Sequence, residues 1–227
     1  MFRDITTVVF DVLGTLVDEP RGLRAAVVEA AGPRGDSAGL LGIWQSHIEQ
    51  EQARIARGER DYADTETLDR EAALRVAETA GIDDQALIGR LASAAERLPP
   101  WDDSADGVAR LVQRFRVFGL SNATTKTLHR LAEHAGLEWD LALSADAVRA
   151  YKPAPEVYAL AVEAAGGDPS RVLMVAAHAW DLRGAQSIGM RTAYVRRPVG
   201  DPPTSTDTFD GRFDGLRQLA AALISST

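Results

Sequence analysis

Short apolar runs alternate with helical patterns along most of this chain. Thr7-Val8-Val9-Phe10 reads as a buried strand closing at Asp11, and Val117-Phe118-Gly119-Leu120 as a second closing at Ser121. Leu141-Ala142-Leu143 is a weaker third, Val172-Leu173-Met174-Val175-Ala176 a fourth and Thr192-Ala193-Tyr194-Val195 a fifth. Helical periodicity fills 104–114, 125–135, 155–165 and 182–188 between them. Strands separated by helices predict a parallel sheet covered on both faces. Right-handed crossovers then give an α/β fold with an open, doubly wound sheet.

One stretch breaks the alternation. From about Arg21 to Leu98 the pattern is helical, with Leu40, Leu41, Trp44, Ile48 and Ile55 at helical spacing over 40–57, and further segments at 65–80 and 84–97. Asp83 or Asp84 suits an N-cap. Pro99-Pro100 ends the region. This predicts an all-helical cap over 19–98 inserted into a core made of 1–18 and 99–227. The loop 200–205, rich in turn residues, reads as surface.

Composition narrows the function classes. The 227 residues are 45% hydrophobic and 26% charged, as in an ordinary globular protein. The net charge is −8, and no basic run could track a phosphate backbone, so no nucleic-acid partner is expected. No apolar run reaches a membrane span and no signal-peptide layout opens the chain, so no membrane partner and a cytoplasmic location are expected. Zero cysteines exclude disulfides, thiolate nucleophiles and thiolate metal sites.

In an open parallel sheet, ligands bind beyond the carboxyl ends of the strands. The polar residues there are Asp11, Thr15, Ser121, Asn122, Lys152, His178 and Asp181. Asp11 alone would read as a turn or cap residue; joined by polar groups at the other strand ends it reads as a nucleophile, with Gly14 allowing a tight anion-facing turn. Ser121-Asn122 offers donors for a carboxylate or a leaving anion, or a helix cap. Lys152, in a Lys-Pro-x-Pro-Glu turn, can reach Asp11 and keep it ionised. Asp181 can hold Lys152 or a water, and His178 can act as a base.

Together these residues resemble the haloacid dehalogenase superfamily of hydrolases, whose fold is a Rossmann-like core with an inserted cap. Its four motifs match Asp11-Val12-Leu13-Gly14-Thr15, Ser121, Lys152 and Asp181. The stretches LSNATTKTLHRLAEHAGLEWDLALSADAVRAYKPAPEVYALA and VLMVAAHAWDLRGAQSIGMRTAYVRRP are similar to the type II L-2-haloacid dehalogenase branch. The resemblance implies a metal-independent hydrolase that converts L-2-haloacids to 2-hydroxy acids through an ester on Asp11. Thr15 would position Asp11, Lys152 would balance charge, and Val12, Leu13, Ser121, Asn122 and Tyr158 would contact or brace a small anionic organic acid. The superfamily's phosphatases carry an acid where this chain has Leu13. They also hold magnesium with paired acids where this chain has only Asp181. No cofactor is therefore expected, magnesium being needed only if the chain is instead a phosphatase. A related hydrolase acting on another carbon electrophile, and a non-catalytic binding protein on this fold, stay open beside the dehalogenase.

Three departures stand out. His178 occupies an asparagine position of the branch and Ala176 a serine position, which suggests that His178 with Asp181 activates water. The branch's halide-binding cap arginine falls near Ile55, so Arg54, or else Arg57, is expected in the site. A homodimer is possible, with Trp44 and other apolar cap positions available to it.

Overall fold

The computed structural model describes residues 2–32 and 35–225. Six parallel strands form one sheet in the order β3-β2-β1-β4-β5-β6. They are β1 (Thr7–Asp11), β2 (Arg116–Ser121), β3 (Leu141–Ser144), β4 (Val172–Ala176), β5 (Arg191–Val195) and β6 (Gly211–Phe213). The sixth strand was not expected from the sequence: it has three residues and little apolar signal, and it forms by pairing Ala193–Val195 of β5 with Gly211–Phe213.

Side-chain alternation along β1 splits the interior in two, as a strand period of two requires. Val8 and Phe10 join one apolar cluster with α5 (Ser104–Leu111), α6 (Thr125–Ala135) and α9 (Leu216–Ile224). Val9 joins the other with α7 (Pro155–Ala165) and α8 (Ala179–Ser187). The doubly wound α/β core is thus observed directly. Helix α9 had no counterpart in the sequence reading.

Among the described residues, four α-helices lie between β1 and α5: α1 (Glu19–Ala31), α2 (Ser37–Ala56), α3 (Thr65–Ala80) and α4 (Gln85–Ala92). Each starts at an aspartate whose carboxylate accepts from a free amide of the first turn: Asp18 from Arg21, Asp36 from Gly39, Asp64 from Thr67, and Asp84 from Ala86 and Leu87. The expected single helix over 84–97 breaks at Ser93, and Ala94–Arg97 tightens into a 3-10 turn.

The chain leaves and re-enters the sheet side by side. Val17 bridges Pro100, Asp18 N–H donates to Pro99 O (2.8 Å) and Trp101 N–H to Leu16 O (3.2 Å). Further contacts tie the helices over the sheet's carboxyl edge. Tyr151 O–H donates to Ala63 O (2.7 Å), while Thr124 and Lys126 of the sheet unit grip the two oxygens of Glu66 on α3 (2.7 and 2.8 Å). No helix of the described residues is long and apolar enough to cross a membrane.

Candidate active site

Parallel register sets the site. Asp11 ends β1 opposite Leu120, so Ser121 and the residues after Ala176 emerge beside it from the two neighbouring strands. Thr15 Oγ1 donates to Asp11 Oδ2 (2.7 Å) and accepts from Ala177 N–H (2.8 Å). This relay locks the loop after β1 to the end of β4. Lys152 Nζ donates to Asp11 Oδ1 (3.0 Å) and Asp181 Oδ2 (2.8 Å), and Tyr158 O–H donates to Asp181 Oδ1 (2.6 Å). Both oxygens of each carboxylate are therefore held.

The Lys152 and Asp181 side chains are almost fully buried, and Asp11 retains a small exposed face. Burial alone would lower the ammonium pKa of Lys152. The two carboxylates around it outweigh that and raise it, so the cation persists. Burial pushes Asp181 above the usual carboxylate range, with Lys152 pulling it back.

A cavity of about 300 Å³ opens over Asp11. From the sheet it is lined by Asp11, Leu13, Ser121, Asn122, Lys152 and His178. Ser121 Oγ accepts from Ala123 N–H (3.2 Å), leaving its hydroxyl proton to donate, and Asn122 Oδ1 accepts from Lys152 N–H (2.9 Å), leaving its NH₂ as a donor. The imidazole of His178 lies against Gly14, which has φ +79°; a Cβ there would stand 2.6 Å from His178 Nε2. The loop expected to be mere surface pins this segment. Asp201 N–H donates to Ala177 O (3.2 Å), Ala179 N–H to Asp201 O (2.8 Å), and Trp180 N–H to Asp201 Oδ2 (3.1 Å).

Several sequence expectations need correction. Asp181 does not line the cavity; its oxygens accept from Lys152 and Tyr158, and no hydrogen bond joins it to His178 among the described residues. Tyr158 lies beneath the site rather than in it, with its ring fully buried. Val12 is a core side chain whose carbonyl accepts from Leu16 and Val17 N–H. Arg54 is half-exposed and turns back along its own helix to Glu51 (3.0 Å), and Arg57 pairs with exposed Glu59. Neither arginine lines the cavity: Arg54 sits on the solvent side of the last turn of α2, and Arg57, just past the helix end, is exposed. Trp44 is buried and faces the cavity, so it is not available to a dimer surface.

The helical wall of the cavity holds residues to which the sequence assigned no part in the site: Glu19, Trp44, Ile48, Glu49, Gln52 and Asp69. Lys152 is the one lysine or arginine among the described lining residues. Burial pushes the Glu19 carboxyl up to about 7; His178 opposes this and the charge of Asp11 adds to it. Burial also raises Asp69 well above its ordinary range, with Glu19, Glu66 and Asp64 contributing. In sequence, Glu19 reads only as a first-turn acid suited to a helix dipole.

The family of haloacid dehalogenase-like hydrolases matches residues 5–189. The chain belongs to this family. Among relatives of this haloacid dehalogenase-like hydrolase, an (S)-2-haloacid dehalogenase of Xanthobacter autotrophicus is 35% identical over 197 residues, covering 85% of this chain and 76% of the relative. (S)-2-haloacid dehalogenase 4A of Burkholderia cepacia is 33% identical, covering 89% and 87%. A crystal structure of a defluorinating L-2-haloacid dehalogenase superposes with a TM-score of 0.88 at 31% identity, covering 97% of this chain and 95% of that one. The Xanthobacter autotrophicus enzyme with chloropropionic acid covalently bound superposes with a TM-score of 0.81 at 28% identity, covering 98% and 100%.

Proposed function

We propose that this hydrolase converts L-2-haloacids to 2-hydroxy acids through a covalent ester on Asp11. The observation that carries the reading is a carboxylate at a strand end, held by Thr15 and Lys152 and facing a cavity, in a chain similar over most of its length to (S)-2-haloacid dehalogenases. Asp11 attacks C2 from the side opposite the halogen, the C–X bond breaks, and halide leaves with the electron pair. Water then attacks the ester carbonyl, and the inverted 2-hydroxy acid departs. Lys152 steadies the oxyanion, Ser121 holds the substrate carboxylate, and Asn122 faces the halide. The helices over 19–98 act as the cap that closes on the substrate. No step of this route calls on a metal: Lys152 supplies the positive charge beside the nucleophile.

The test is halide release from L-2-chloropropionate, with EDTA or with magnesium, and with Asp11→Asn as control. Release that survives EDTA and is lost in the variant supports the reading. A second reading, hydrolysis of another carbon electrophile by the same ester chemistry, is favoured by the acidic, arginine-free lining of the helical wall. Folded protein that leaves haloacids intact would turn the search to such electrophiles, and then to phosphate esters with magnesium.

A further inference from the structure

The cavity over Asp11 does not end at its own rim. A second cavity of about 650 Å³ opens beside it, between the C-terminal half of α2 and the segment 149–154. Glu49, Gln52 and Lys152 line both, so the two spaces meet there. We propose that this outer cavity is the entry subsite of the hydrolase, and that Arg149 takes the carboxylate of an incoming 2-haloacid before the acid passes to Asp11. The inference rests on the haloacid reading proposed above.

Three observations carry it. The inner cavity has little to draw an anion in: its cation, Lys152, is shared by Asp11 and Asp181, and acids line the helical wall. The outer cavity adds Arg149, whose guanidinium makes no ion pair among the described residues and lies over the Tyr62 ring (5.3 Å from Cζ to the centroid). An aromatic face holds the guanidinium without using its N–H donors, which stay available to a carboxylate. Finally, Arg149 ends the 3-10 turn Ala145–Val148 with φ 52°, the one positive φ at a non-glycine position among the described residues. Glycine suits such a backbone best, so an arginine there carries a strain that its side chain must justify.

The lining sets the ligand class. Ala53, Ile55 and Ala150 give the outer cavity an apolar wall for a carbon chain and its halogen, while the guanidinium fork fits a carboxylate. Glu49 and Glu156 face the same space and oppose an anion, so Arg149 is the group that can draw one past them. From there the acid passes Gln52 to the inner cavity, where Ser121 and Asp11 wait. Arg149 touches no reacting atom in this scheme. Its charge acts on arrival, and an exposed charge that acts on arrival is screened by salt.

Stopped-flow binding of L-2-chloropropionate to the full chain carrying Asp11→Asn, which blocks ester formation, tests this. Trp44 and Trp180 line the inner cavity and report arrival by fluorescence. Adding Arg149→Gly, which suits the backbone, should slow association about tenfold and weaken its salt dependence. Arg149→Glu should slow it further, Arg149→Lys should recover part of the rate, and Glu49→Gln should speed it. Ala53→Trp, which fills the outer cavity alone, should slow association and dissociation alike. The subsite is overturned if association is the same with arginine, glycine or glutamate at position 149, if Ala53→Trp binds as fast as its parent, or if the folded parent binds no acid. Chloride release by the protein with Asp11 intact is read in parallel. Release together with association indifferent to Arg149 overturns the subsite and leaves the dehalogenase reading standing. Arg149-dependent association without release overturns that reading and leaves an entry subsite for small organic carboxylates.

Discussion

Gly14 answers two demands at one position. Its φ of +79° is one that side chains other than glycine adopt with strain, and the imidazole of His178 occupies the space a Cβ would need. Gly14→Ala should therefore cost on the order of 1–3 kcal/mol of stability and displace His178. A lowered melting temperature together with slowed ester hydrolysis would bear this out; unchanged values of both would refute the packing. The Lys152 cluster has the opposite character, since all its polar atoms are matched. Tyr158→Phe leaves one buried Asp181 oxygen without its donor, a loss of about 1–3 kcal/mol. Lys152→Met strands two carboxylates and should cost about 3–5 kcal/mol with loss of halide release. Urea unfolding of the two variants should rank them in that order. Asp11, Ser121, Lys152 and Asp181 were legible in the sequence because each stands at or near the end of an apolar strand or its following turn, where the topology of a parallel sheet collects polar groups. Glu19 and Asp69 were not, because a helical residue's outlook depends on how its helix docks.

Arg54 shows the same limit at the level of the element. Helical spacing along α2 brought it near the expected position. The local partner Glu51, three residues earlier, and the solvent-facing last turn decided where it points. Arg60, which no pattern marked, is the structural cation of the helical region. It donates to Glu51 (2.5 Å) and to Glu71 (2.6 Å), and Glu71 also meets His47 (3.0 Å), so it ties α2 to α3. Glu51 is nearly buried, and Arg60 pulls its pKa below the usual carboxylate range. Arg60→Ala should cost about 1–3 kcal/mol, discounted for the partial exposure of Glu71. Arg54→Ala should cost about 0–1 kcal/mol, as a half-exposed ion pair does. Equal melting temperatures for the two variants would show that Arg60 does not brace α2 against α3. Strand β6 escaped sequence reading for a related reason: three residues flanked by turns have no periodicity of their own, and only the edge of β5 makes them a strand.

Across the whole molecule, the acids of the cavity's helical wall set the pH response of stability. Glu19 has an ordinary value of 4.5 and stands near 7 in the folded protein, and Asp69 is shifted in the same direction. Between about pH 4.5 and 7 the native state keeps a proton on Glu19 that the unfolded chain has lost. Stability must therefore fall as pH rises through that window and level off above it. The carboxylates lowered by Arg60 and Lys126, namely Glu51, Glu71 and Glu66, act in the opposite sense, and their contribution is lost only as pH falls below the ordinary carboxylate range. The stability maximum is thus expected on the acid side of neutrality, and a series of thermal melts from about pH 5 to 8 would locate it. Glu19→Gln removes one titrating group and should flatten the slope while raising the melting temperature at about pH 7–8. A variant whose melting temperature still falls with the wild-type slope would remove Glu19 from the account of stability, and the burden would pass to Asp69.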